Sequence, residues 1–138
     1  MAMKKILIGV DGSEESRAAL AFAANLARPA GASLLLAYVV EPRSADRELP
    51  GEWDVPERSY AAALLSELER ECAQREVPAE GRTAIGHVAE ALAEMAVTEK
   101  VDLAVVGHRG RGAVARALLG SVADRLVQIS PVPVLVVR

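Results

Sequence analysis

Cysteine, aromatic residues and long apolar runs are all scarce in this chain, and each scarcity closes a class of protein. One cysteine, Cys72, among 138 residues permits no intrachain disulfide. That fits a reducing cytoplasm, which is the expected location. One Trp, two Tyr and one Phe leave a core of Ala, Val and Leu, packed closely between helices and a sheet. No apolar run approaches the ~20 residues of a membrane-spanning helix. Met1 to Lys5 leads straight into a strand and leaves no room for a secretory signal. A net charge of −3 argues against nucleic acid as the main partner. There is no Gly-Lys-Ser/Thr and hence no P-loop, and no Gly-x-Ser-x-Gly nucleophile elbow. No His/Cys/Asp/Glu spacing matches a protein-built metal site.

What the chain does have is alternation. Apolar runs at 4–10, 32–40 and 102–106 read as buried parallel strands. A weaker strand at 80–86 suits a place near an edge, and 132–137 is a last apolar strand. Between them, helical spacing predicts helices over 14–28, 57–76, 88–99 and 121–129. The first should bury Ala18, Ala19, Phe22, Ala23 and Leu26, and end at Pro29 and Gly31. The second should bury Ala61, Leu64, Leu65 and Leu68; the third Val88, Ala91, Leu92 and Met95. Residues 41–56, rich in Pro and charge, form a long loop of the kind that is usually functional or mobile. Near-strict alternation predicts a single-domain α/β fold over 1–138, a five-stranded parallel sheet with helices on both faces. Ligands of such sheets bind outside the carboxyl ends of the strands, where strand order reverses.

The densest signal is Gly107-His108-Arg109-Gly110, nine intervening residues, then Gly120-Ser121. Gly107 and Gly110 permit a sharp turn and bring bare backbone close to a ligand. Gly120-Ser121 opens a helix whose free N–H groups attract anions. Charge agrees: residues 101–138 hold five Lys/Arg against two Asp/Glu, whereas 41–100 hold seven against fourteen. Two backbone cradles facing one crevice suit a chain of phosphates. Ser121-Val122-Ala123-Asp124 also matches a capping box, with Ser121 as the cap. Arg109 and Arg111 read equally as phosphate ligands or as solvated loop residues. Asp11, just past the first strand, reads as a turn former or helix cap as readily as a ligand to ribose or adenine.

Gly-x-x-Gly-x9-Gly-Ser resembles the nucleotide-binding signature of the universal stress protein family. Ile6-Leu7-Ile8-Gly9-Val10-Asp11-Gly12-Ser13 resembles that family's first strand and turn, and Ser130 to Arg138 its final strand. The resemblance implies a Rossmann-like sheet, similar to the adenine nucleotide alpha hydrolases, in order 3-2-1-4-5. It implies ATP across the ends of the first and fourth strands, with Mg2+ or Mn2+ carried by the phosphates. Gly9, Val10, Asp11, Val39, Val106, Gly107, Arg109, Gly110, Gly120, Ser121 and Val122 are the expected nucleotide contacts. Val39 would meet adenine through its backbone, Asp11 the ribose, and the glycine loop and Ser121 the phosphates. A homodimer through 132–137 and a regulatory protein partner are also implied. Pro133, which cannot donate to a ladder, independently favours an edge position there.

Two residues depart from the family pattern. His108 stands where a small residue is common, and is expected either to crowd the loop or to point to solvent. Val88 replaces a frequent Pro at a helix start, away from the expected site. His87 reads as a first-turn surface residue and Cys72 as a helix residue with no redox role. Two other readings stay open at this point: a slow ATPase or self-phosphorylating protein, and an interaction module that needs no nucleotide. The first lacks an evident base to activate water at the γ-phosphate.

Overall fold

A computed structural model describes residues 2–42, 55–109 and 119–138. The predicted loop over 41–56, the loop glycine Gly110 and Arg111 fall largely or wholly outside those residues. The elements in chain order are β1 (Lys5–Gly9), α1 (Glu14–Ala30), β2 (Ser33–Val40), α2 (Val55–Gln74), β3 (Ala79–Ile85), α3 (Val88–Thr98), β4 (Leu103–Gly107), α4 (Ser121–Ile129) and β5 (Val134–Val137). The five strands form one parallel sheet in the order β3-β2-β1-β4-β5. This is the order the resemblance implied, with β3 and β5 at the edges.

Alternation along each strand divides the core in two. Ile6 and Ile8 of β1 face α1 and α2, with Leu34, Leu36 and Val105 beside them. Leu7 faces the other way, towards α3 and α4, with Leu35, Ala104 and Val106. Both clusters are Ala-, Leu- and Val-rich, as an aromatic-poor composition requires. Cys72 is wholly buried in the first cluster, and burial pushes its thiol up to about 11. It is a core residue with no thiolate to react at neutral pH. At the amino ends of the strands, Asp102 accepts from the Lys4 and Lys5 N–H groups at 2.8 and 3.0 Å. Those bonds hold its carboxyl below the usual range and lock β4 to the start of β1.

The helices differ from expectation in detail. α1 continues through Pro29 to Ala30 and stops at Gly31, which adopts φ 69°. The Ala32 N–H then reaches back to the Ala27 oxygen at 3.0 Å, closing a Schellman end. So the left-handed glycine terminates the helix; the proline does not. The buried face of α1 is Ser16, Ala19, Leu20, Ala23, Ala24 and Ala27, while Ala18 and Phe22 are exposed. α2 buries Ala61, Leu64, Leu65 and Leu68 as expected. α3 buries Ala89, Leu92, Met95 and Ala96, with Val88 and Ala91 half-buried.

Candidate functional site

β1 and β4 lie side by side, yet their chain connections leave the sheet in opposite directions, β1 to β2 and β4 to β5. Beyond their carboxyl ends opens a cleft of about 660 Å3, within the size range of small-molecule sites. Gly9, Val10 and Asp11 reach it from β1, and Val39 from β2. Val106, Gly107 and Arg109 reach it from β4, and Ser121 and Val122 from α4. Nine of the eleven expected positions thus meet at one place. Gly120 does not line the cleft; it is the N-cap of α4, and its N–H donates to the His108 oxygen at 2.8 Å. Gly110 lies outside the described residues.

One wall of the cleft is hydrogen-bonded to itself. Asp11 Oδ1 accepts from the Ser13 N–H at 2.9 Å and from its hydroxyl at 2.6 Å. Ser13 in turn accepts from the Ser16 N–H at 3.1 Å, so it is the N-cap of α1. The turn-forming role of Asp11 is therefore real geometry. Arg109 Nη2 pairs with Glu15 Oε1 at 3.1 Å, on the first turn of the same helix.

Gly107 belongs to this wall too, for an unforeseen reason. A Cβ there would sit 2.8 Å from the carbonyl carbon and oxygen of Glu15. Packing alone demands glycine here: α1 lies where a side chain would go. His108 does not point to solvent. It is 9 % exposed, and its N–H donates to the Val137 oxygen at 2.7 Å. The residue is built into the sheet edge.

The opposite wall is open. The last rung between β1 and β2 is the Val10 N–H donating to the Ala37 oxygen at 2.9 Å. Even-numbered residues of β2 bond towards β3, as the Val40 oxygen does with the Gly86 N–H at 3.0 Å. Val39 is therefore the next residue directed at β1, but β1 ends at Gly9. Among the described residues nothing pairs with its N–H and C=O, which face the cleft. Beside them Val88, Leu92, Val106 and Val122 form an apolar slot. Val88 was expected to lie away from the site; it lines it.

Among the described residues the start of α4 is open as well. Ser121 is the first helical residue, and the N-cap Gly120 has no side chain to bond the turn. The capping box does not form: the Asp124 N–H bonds the Gly120 oxygen at 2.9 Å instead. Ser121 is exposed, and its hydroxyl bonds no described residue. Free N–H groups and a hydroxyl at a helix N-terminus make an anion site.

A model of the universal stress protein family matches residues 3–138. The chain belongs to that family. A universal stress protein of Thermus aquaticus, encoded in the 3′ region of a QAH/OAS sulfhydrylase gene, is 37% identical over 143 residues, 98% of each chain. Among solved structures, MJ0577, a hypothetical protein whose biochemical function was assigned from its structure, superposes with a TM-score of 0.90. It is 25% identical, over 99% of this chain and 96% of that one. A universal stress protein in complex with cAMP superposes with a TM-score of 0.80 at 29% identity, over 100% and 99% of the two chains.

The sequence missed Tyr38, Glu41, Glu57, Val88 and Leu92 as members of the cleft. Glu41 and Glu57 were assigned to a loop and a helix start, and only the sheet order brings them together. Tyr38 donates to Glu57 Oε1 at 2.8 Å, tying the first turn of α2 to the cleft floor. Among the described residues no group of three or more His, Cys, Asp or Glu side chains is placed to hold a metal. Nor is any described helix long and apolar enough to cross a membrane.

Proposed function

We propose that this chain binds ATP in the cleft and acts as a regulatory stress protein whose occupancy is read by a partner. One observation carries the reading: an apolar slot, with a backbone donor and acceptor unused among the described residues, lies next to a helix N-terminus that no described side chain caps. Val39 N–H and C=O suit the edge of adenine, and Val88, Leu92 and Val122 suit its faces. Gly9, Val10 and Asp11 border the sugar. The N–H groups of α4, the Ser121 hydroxyl and Arg109 would receive the phosphates, with Val106, Gly110 and Gly120 keeping the approach low. Arg109 keeps donors beyond the one spent on Glu15. A divalent cation, Mg2+ or Mn2+, would ride on the phosphates, since no described cluster of protein ligands awaits it. The cAMP-bound relative supports an adenine nucleotide as ligand.

The same reading includes a second copy of the chain. β5 is an edge strand whose residues Val134 to Val137 are all only half-buried. α1 and α4, which contact it, expose Phe22 and Val127. Pairing of two β5 edges would cover this apolar border.

Calorimetric titration with ATP, ADP and AMP in the presence of Mg2+ tests the first part. Saturable binding with 1:1 stoichiometry is expected. No heat and no thermal shift at millimolar ATP would overturn it. Light scattering tests the second part: a two-chain mass is expected, falling to one chain in Val136→Arg.

A further inference from the structure

Glu41 follows the last residue of β2 and stands two residues past Val39. It lines the cleft. Its Oε1 accepts from the Val88 N–H at 3.2 Å. Val88 is the first residue of α3, and the N-cap before it, His87, makes no side-chain bond. So an exposed carboxylate just past β2 bonds the start of α3, in the same cleft as the apolar slot. The positive end of α3 favours its charge. A carboxylate offers about four acceptor positions, of which the Val88 N–H uses one. Among the described residues no cation pairs with it. What remains is an acceptor, tethered to the start of α3, that shares the cleft with an open backbone donor–acceptor pair.

That arrangement has a chemical preference. A 6-amino purine presents a ring nitrogen that accepts and an exocyclic nitrogen that donates twice. Val39 N–H and C=O satisfy the ring nitrogen and one of the two hydrogens. The other hydrogen still needs an acceptor. A 6-oxo purine would turn a carbonyl oxygen towards the carboxylate and a ring N–H towards the Val39 N–H, and both meetings repel.

We propose that Glu41 is a specificity-determining residue of the cleft, accepting from the exocyclic amine of the base and so selecting 6-amino over 6-oxo purines. The inference rests on the nucleotide reading above. It also gives the Val88 departure a purpose: proline, with no N–H, could not hold the carboxylate.

Calorimetric titration of the full chain with ATP and with ITP tests it, because the two share sugar and phosphates and differ at position 6. Wild-type protein is expected to prefer ATP, and Glu41→Gln to narrow that preference about tenfold. The glutamine oxygen can still accept from Val88, while its amide donates to a 6-oxo group, so ITP affinity should rise. Val88→Pro removes the anchoring N–H at a position where proline is tolerated. It should narrow the preference in the same direction with the melting temperature retained. An unchanged ATP-to-ITP ratio in Glu41→Gln would overturn the proposal and leave nucleotide binding standing. Equal loss of both affinities would reduce Glu41 to a cap for α3, again overturning it. Wild-type protein that binds neither nucleotide would fail the nucleotide reading itself, and Glu41's role with it.

Discussion

Two helices open on the cleft with a serine, and they use it in opposite ways. Ser13 sits one residue before α1, accepts from the Ser16 N–H, and is itself held by Asp11. Ser121 sits one residue inside α4, behind a bare glycine, and bonds no described residue. α1 has thus spent its N-terminus on its own fold, and Glu14 and Glu15 in its first turn add negative charge. α4 has not, and its first-turn acid, Asp124, bonds Gln128 at 3.3 Å rather than the free N–H groups. A helix start can close a structure or receive an anion. Here one cleft has one of each, so its first wall is scaffold and its second is binding surface.

The contrast breaks most visibly at the glycines. Gly107→Val would drive a side chain into the Glu15 backbone, where even Cβ is 2.8 Å away. Backbone cannot swing aside as a side-chain tip can, so a loss of about 3 kcal/mol is expected in urea unfolding. A variant that unfolds at the wild-type midpoint yet binds no nucleotide would move Gly107 from scaffold to binding surface. Gly120→Val is the counterpart at the N-cap of α4. Gly120 has φ −64° and ψ 153°, which valine adopts without strain. The fold should survive while ATP affinity drops by at least about tenfold, roughly 1.4 kcal/mol by calorimetry. Unchanged affinity would mean that phosphate does not approach α4.

The two walls also differ in how much of them the sequence disclosed. Strand and helix alternation was legible because buried parallel strands are short unbroken apolar runs, and Pro or Gly marks most of the breaks. The face of α1 was not. Its run Ala18-Ala19-Leu20-Ala21-Phe22-Ala23-Ala24 is apolar at every position, so the 3.6 period has no phase to read. The span of α4 was legible but its cap was not: Gly120, not Ser121, is the N-cap, and both are good N-cap residues. The need for glycine at 107 had a source the sequence hides, since what packs against it is a helix from the far end of the chain. Val88, Glu41 and Leu92 carry no local mark. They become neighbours of the cleft only once β2 and α3 are placed beside β1.

Serine substitutions sharpen the same contrast at smaller scale. Ser13→Ala removes the N-cap of α1 and the hydroxyl donor to Asp11 Oδ1, leaving the backbone one, so about 1 kcal/mol of stability should go. Glycine at 13 should recover part of that loss, as cap replacements do. Equal stability of Ser13→Ala and wild type would mean that water replaces the cap without cost, and the first wall would not be the closed one.

Ser121→Ala is the smallest change and the most discriminating. Alanine is a better helix former than serine, and the hydroxyl bonds no described residue, so stability should stay within about 0.5 kcal/mol of wild type. What the hydroxyl can lose is a hydrogen bond to a bound phosphate, so ATP affinity should fall by about 0.5–1.5 kcal/mol. Adenosine lacks phosphate and should bind the variant and the wild type alike. A loss shared equally by ATP and adenosine would place Ser121 beside the base or sugar and reverse the orientation of the ligand in the cleft. A loss of stability instead would show Ser121 acting as a cap after all. Then the two serines would be doing the same job, and the division of the cleft into a closed wall and an open one would fall.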